Sequence, residues 1–502
     1  MRATDSSVRD ASMTIHPSQF PTTAGWNLDD SYSRLPSLLF REARPTAVKH
    51  PSLAVFNEAL SRSLGLDPEI LQQPDQAGLF TGNILPPSAK PIAQAYAGHQ
   101  FGHFTTLGDG RAILLGEQLT PDNQRFDIQL KGCGRTPFSR GGDGLAALGP
   151  MLREYLISEA MHALGIPTTR SLAVSTTGEN IFRNEELPGA VLTRVASSHI
   201  RVGTFQWVSA HQDQAALRAL ADYTRRRHFP DLAEATNLEF FHAIMKRQAS
   251  LIAQWLQVGF IHGVMNTDNM ALCGETIDYG PCAFVDRYDP DTVFSSIDRD
   301  GRYAYANQPT IARWNLARLA EAMIPLLHTD GKQAVELANE ALNQFQGIFQ
   351  NVWLDRMRAK LGIFNKEADD LALVQRLLDW MQASKIDFTG TFTTLSSIAS
   401  LDHPAFPEPT FAGWHADWKN RLTRQSEDSL EIIRKMKSAN PRVIPRNHKV
   451  EEALNAATLH SDFAPFQKLL SAVTRPFDET SDETFTTPPP TDSPRYQTFC
   501  GT

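Results

Sequence analysis

Cysteine is nearly absent: the 502 residues hold only Cys133, Cys273, Cys282 and Cys500. Four thiols so widely spaced form no disulfide framework of the kind that staples small secreted domains, and they point to a reducing compartment, cytoplasmic by default. No uninterrupted apolar run is long enough to span a bilayer, so no membrane partner is expected. The N-terminal MRATDSSVRDASMTIHPSQFP lacks the apolar core of a secretory signal. Positive charge is in deficit as well. Lys plus Arg number 48 against 56 Asp plus Glu, a net charge of −8, which argues against a nucleic-acid partner while leaving room for a local basic site. Several short signatures are missing: there is no G-x-S-x-G elbow, no H-E-x-x-H helix and no G-x-x-x-x-G-K-[ST] phosphate loop. No internal repeat occurs at a solenoid period.

What is present is an ordinary globular balance, 41% hydrophobic and 21% charged, over a length that suits two or three packing units or one large two-lobed domain. Residues 1–25 are polar and aperiodic and read as a disordered tail. Residues 26–196 are rich in strands: GRAILLGEQL (110–119) and RFDIQLKG (125–132) flank the turn TPDNQ, and 168–196 read as further strands with a turn at Thr177-Gly178. One strong helix interrupts them at 145–167, ending at Gly165 and Pro167. Residues 197–436 are mainly helical, including NLEFFHAIMKRQASLIAQWLQVGF (237–260), and 437–502 form a C-terminal extension with an extended, Pro- and Thr-rich end. The expectation is an α+β, bilobal, protein-kinase-like fold with a strand-rich N-lobe and a helical C-lobe.

The long helix leads into HGVMNTDNMALCGETIDYGP (262–281), which resembles the catalytic and metal loops of a protein kinase, H-R-D-x-x-x-x-N followed by D-F-G. His262 and Asn269 keep the required spacing and Asp278-Tyr279-Gly280 follows, but Val264 stands where the catalytic Asp belongs. An amide oxygen at Asn269 and a carboxylate at Asp278 suit a hard cation, Mg²⁺ or Mn²⁺. Asp268 is the only nearby acid that could replace the lost base, although turn capping competes for it. Lys131 ends a strand, where a lone lysine is usually a solvated surface group; the glycine-rich loop and carboxylate-bearing helix that follow give it weight as a phosphate ligand. Its partner is Glu154 or Glu159. Periodicity leaves both open, with Glu159 nearer the middle of the apolar face. LGDGR (107–111) and SRGGDG (139–144) can bring backbone N–H groups close to phosphates, and Arg111, Arg140, Arg194 and Arg201 add charge suited to a polyanion. His99-Gln-Phe-Gly-His103 could pair two imidazoles on a metal, but no third ligand is evident and structural histidines are the better reading.

Together AYAGHQFGHFTTLGDGRAILLGE, QLKGCGRTPFSRGGDGLAALGPMLREYLISEAMHALGIPTTRSLA, the HGVMNTDNM…DYGP loops and the terminal QTFCGT resemble the selenoprotein O (SelO/YdiU) family. The resemblance implies a pseudokinase fold that moves AMP from ATP, or UMP from UTP, to protein hydroxyls, with the nucleotide reversed relative to a kinase. Carried over by motif, Gly108, Gly110, Arg111, Lys131, Asp143, Gly144, Arg194, Arg201 and Asp278 bind nucleotide. Asn269 and Asp278 hold the metal, Asp268 accepts the proton, and Glu154 partners Lys131. Cys500 falls where many eukaryotic members carry selenocysteine, and a pairing with Cys282 stays open. A kinase transferring the γ-phosphate and an inactive nucleotide-binding scaffold are the alternatives.

Overall fold

The computed structural model describes residues 24–490 and 492–498. All but the last two residues of the tail expected at 1–25, and Cys500 with its open pairing, lie outside them. The strands are β1 (Leu28–Asp29), β2 (Phe40–Glu42), β3 (Ser52–Phe56), β4 (Ile92–Gln94), β5 (Ala97–Gln100), β6 (His103–Thr106), β7 (Ala112–Leu119), β8 (Arg125–Lys131), β9 (Arg170–Phe182), β10 (Glu186–Ala196), β11 (Phe260–Ile261) and β12 (Ala283–Phe284). An eight-stranded antiparallel sheet runs β2-β4-β7-β8-β10-β9-β3 with β1 on β7, while β5–β6 and β11–β12 are separate ribbons. The N-terminal part is thus strand-rich, and helices dominate the C-terminal part.

The period of two along β8 assigns the two faces of the sheet. Ile128 and Leu130 pack with Ile113, Leu115 and Val191 against Leu60, Leu64 and Phe80 on one side. Asp127, Gln129 and Lys131 occupy the alternate positions, and all three are buried. Burying polar groups is tolerable only when they are hydrogen-bonded, so this face must meet partners. Helix α1 (Glu58–Ser63) and α2 (Pro68–Leu71) are short, and α3 (Leu148–Ala163) is the long helix of this half. Asp127 receives the backbone N–H of His199 (2.9 Å) and the Arg227 guanidinium (2.7 Å), pinning the segment that joins the two halves.

The helical half begins with α4 (Val202–Ala210), α5 (Gln214–His228), α6 (Asn237–Val258), α7 (Gln308–Leu327) and α8 (Gly331–Lys360). The start of α6 is set by a reciprocal cap between Thr236 and Glu239, and its end by Gly259 in the left-handed region (φ 77°). That stop sends the chain into β11, whose antiparallel pairing with β12 closes residues 262–282 into a single base carrying both kinase-like loops.

Two sequence expectations change. The turn at Thr177-Gly178 is a bulge: β9 runs through it to Phe182, and Gly178 (φ 71°) lies against His50 where the register with β10 slips. The end of the chain is less extended than its composition suggests. Within the stretch expected to be extended, 478–502, a short helix forms at Glu483–Thr486, and Thr498 pairs with Ser295 in a parallel bridge.

Candidate active site

The polar face of the sheet meets the metal loop. Lys131 Nζ lies 2.6 Å from Glu154 Oε2 and 2.7 Å from Asp278 Oδ1. Arg194 follows from the pairing of β10 with β8, which sets it opposite Gln129. Its guanidinium donates to Gln129 Oε1 (2.6 Å), Glu154 Oε1 (3.2 Å) and Asp278 Oδ1 (2.5 Å). Arg201, immediately before α4, donates to the backbone carbonyl of Asp268 (3.1 Å) and stands 3.8 Å from Asp278 Oδ2. One of its terminal nitrogens, Nη2, is buried without a hydrogen-bond partner. Three cations therefore converge on one loop carboxylate. Burial pushes the Asp278 carboxyl up, but Lys131, Arg194 and Arg201 outweigh it and hold the group well below the usual carboxylate range.

Glu154 rather than Glu159 meets Lys131. Glu159 instead binds Arg170 (2.8 and 2.6 Å) and Asn57 (2.7 Å), tying α3 to β9 and to the cap of α1. Both glutamates are buried, so burial alone could not have separated them.

The loop geometry is organised by His262. Its ring is fully buried, stacks on Trp255 (5.4 Å between centroids) and contacts the Ile277 carbonyl (2.9 Å), one residue before Asp278. Burial pushes its pKa down, so it stands as a neutral strut joining the two loops. Asn269 donates Nδ2 to the Val264 carbonyl (3.0 Å), which orients the side chain and leaves its oxygen free. An ionised Asp278 and an Asn269 oxygen form a donor set that fits a hard cation, whose remaining positions phosphates and water would fill. Among the described residues no cluster of three His, Cys, Asp or Glu could hold a metal by itself. Asp278 adopts a left-handed backbone (φ 63°), an uncommon conformation for a non-glycine residue and one often found at functional sites.

Asp268 differs in character from Asp278. It is 8% exposed, and its carboxylate forms no ion pair among the described residues. Gln100 Nε2 approaches both oxygens, at 3.3 and 3.1 Å. Burial pushes its pKa up to about 6. A carboxylate in this range is well placed to exchange a proton near neutral pH.

The glycine loops are laced together rather than free. Gly108 (φ 86°) lies against the Phe138 ring, Thr136 donates to the Asp109 carbonyl (2.6 Å), and Ser139 donates to the Gly110 carbonyl. Arg111 shares a cavity of about 440 Å³ with Lys131, Glu154 and Gly280. Asp143 and Gly144 are not drawn into the cation cluster: Asp143 pairs with Arg183 (2.9 Å), and Gly144 packs on the Gly134 carbonyl. Arg140 lies on the same loop with φ 54°. His99 Nδ1 meets Gln206 Nε2 (2.7 Å).

Two residues escaped the sequence reading. Gln129 bridges Arg194 and Asp109, the latter at 3.0 Å, and buried Asp109 lies 4.0 Å from Arg201. The signal for Gln129 was its place two residues before Lys131, on the same strand face.

A two-lobed α+β fold whose sheet presents a lysine–glutamate pair and two arginines to an Asn/Asp loop is kinase-like. The chain belongs to the family described as protein adenylyltransferase SelO, whose model matches residues 25–474. It is 57% identical over 484 residues to the protein nucleotidyltransferase YdiU of Syntrophotalea carbinolica, covering 96% of this chain and 98% of that protein. The YdiU of Brevibacillus brevis is 57% identical over 95% of this chain and 98% of its own, and that of Bacillus cytotoxicus 56% over the same shares.

Proposed function

We propose that this chain is a protein adenylyltransferase that moves AMP from ATP to a Ser, Thr or Tyr hydroxyl of a protein, with Asp268 as the base. The observation that carries this reading is the pairing of a buried Asp268, whose carboxylate forms no ion pair among the described residues, with three buried cations gathered on Asp278. The hydroxyl oxygen attacks the α-phosphorus as its proton passes to Asp268. The bond between the α-phosphorus and its bridging oxygen breaks, and pyrophosphate leaves. Lys131, Arg194 and Arg201 bind the β- and γ-phosphates and stabilise the charge that develops on the leaving group. The unpartnered Nη2 of Arg201 supplies a donor for such an oxygen. Gly108, Gly110, Arg111, Asp143 and Gly144 line the approach of the nucleotide. A Mg²⁺ or Mn²⁺ held by Asn269 and Asp278 would neutralise phosphate charge when bound. UTP, giving UMP transfer, is the alternative donor that the family resemblance implies. The cysteine-poor composition supports a cytoplasmic location, with Cys133, Cys273 and Cys282 free thiols.

The experiment is transfer from ATP labelled at a single phosphorus. Label at the α-position enters protein and label at the γ-position does not; entry of γ-label would restore the kinase reading, and entry of neither the scaffold.

A further inference from the structure

The HQFGH motif has no part in the reading above, yet it lies against the base. Residues Ala97–Gln100 and His103–Thr106 form a hairpin separate from the main sheet, reversed through Phe101 (φ 49°) and Gly102 (φ 90°). Three successive residues of its first strand and turn grip three successive residues of the catalytic loop. The backbone N–H of His99 donates to Thr267 Oγ1 (2.7 Å), and that of Phe101 to Asn266 Oδ1 (3.0 Å). Between them the Gln100 amide reaches both oxygens of Asp268.

The hairpin also approaches too closely to be replaced casually. A Cβ on Gly98 would fall 2.2 Å from Asp268 Oδ1, and one on Gly203 of α4 would fall 1.9 Å from the Ala97 carbonyl. Glycine at both positions lets the hairpin sit directly on the carboxylate. Arg201, the nearest cation, spends its contact on the Asp268 backbone carbonyl and not on the carboxylate. Among the described residues, one side-chain donor, Gln100, thus holds the Asp268 carboxylate.

We propose that Gln100 is a positioning residue for Asp268, its amide holding the carboxylate in the orientation that receives the hydroxyl proton. The inference rests on the proposed role of Asp268 and extends it to the hairpin. Because Gln100 forms no hydrogen bond to Lys131, Arg194, Arg201, Asn269 or Asp278, its loss misplaces the base without loosening the nucleotide.

The test uses the full chain with Gln100→Met, which keeps the length and bulk but removes the donor, and Gly98→Ala, which pushes on the same carboxylate. For each, AMP transfer from α-labelled ATP, ATP affinity without acceptor, and melting temperature are measured on one preparation. Both variants are expected to lose about 10- to 100-fold in turnover, the scale of a misplaced catalytic group. ATP affinity stays within about three-fold, as for an interaction made only in the transition state. Wild-type turnover in Gln100→Met overturns the proposal, since packing then suffices. A rate loss matched by weaker ATP binding, or one that tracks a fall in melting temperature in both variants, overturns it too, as a purely structural contact. Asp268→Ala run alongside separates the two levels: if that variant is active, the role of Asp268 itself fails. If it is inactive while Gln100→Met is not, only the present inference fails.

Discussion

Two aspartates ten residues apart are driven in opposite directions by their surroundings. Asp278 faces Lys131, Arg194 and Arg201 and stays ionised, whereas Asp268 is buried beside a neutral amide and holds its proton to about pH 6. One suits a cation and the other a proton. Replacing Asp268 with Ala is expected to lower turnover by about 10²–10⁴-fold, the usual cost of a lost general base, with ATP affinity within a few-fold. Steady-state transfer and calorimetry on the same sample check this. The same burial has a cost in stability. A carboxyl whose folded pKa is raised stabilises nothing above that pKa: the folded state keeps the proton that the unfolded chain has already lost, so stability falls as pH rises from about 4 to about 6. A shift from 3.8 to about 6 corresponds to about 3 kcal/mol at neutral pH. Asp268→Asn is therefore expected to melt higher than the parent at pH 7.5, with the gain disappearing below about pH 4. Equal gains at both pH values would show that desolvation of the charge is not its source.

At the level of elements, α3 works as a two-ended brace. Glu154 at one end meets Lys131 and Arg194, and Glu159 at the other meets Arg170 and Asn57. Removing one partner of a buried ion pair costs about 3–5 kcal/mol. The two ends should nevertheless report differently. Glu159→Gln is expected to lower the melting temperature while folded protein keeps its turnover and ATP affinity. Glu154→Gln leaves Lys131 and Arg194 facing Asp278 without their counter-charge, and it is expected to weaken ATP binding and transfer together. Thermal melts paired with ATP titrations distinguish the two. The bulge at Gly178 belongs to this scale as well, since it lets β9 run for 13 residues and pair with β10 on both sides of the slip.

Across the whole molecule, the contacts of Lys131 and Arg194 with Asp278 join the sheet to the loop of the helical half. Triphosphate that engages the same cations bridges both halves, and binding to the folded state alone raises its stability, by about 2.7 kcal/mol at a hundred times Kd. The nucleotide orientation implied by the family resemblance, reversed relative to a kinase, makes a specific demand here. If Arg201 grips distal phosphates, Arg201→Ala should weaken ATP binding about ten- to a hundred-fold, as for the loss of a charge-assisted hydrogen bond. AMP binding should change by no more than a few-fold. Equal losses for the two nucleotides, measured by calorimetry, would place Arg201 at the α-phosphate and contradict that orientation.

The linear order of residues was enough for the two-lobed plan, the His262–Asn269–Asp278 spacing and the anomaly at Val264. These are local: an apolar period and a loop of fixed length lie within one stretch of chain. The strand at 125–132 was legible too, but not that its polar side, Asp127, Gln129 and Lys131, would be buried under the other half, so Gln129 escaped notice. Between Glu154 and Glu159 periodicity could not choose, because it says which way a side chain points and not which strand lies opposite; the family resemblance named Glu154, and the tertiary structure set it on Lys131. It also brought buried Asp109 to Arg201 and set the HQFGH hairpin on Asp268, which lies 168 residues after Gln100. Those pairings depend on how separately formed elements stack, and no short-range pattern in the chain encodes that stacking.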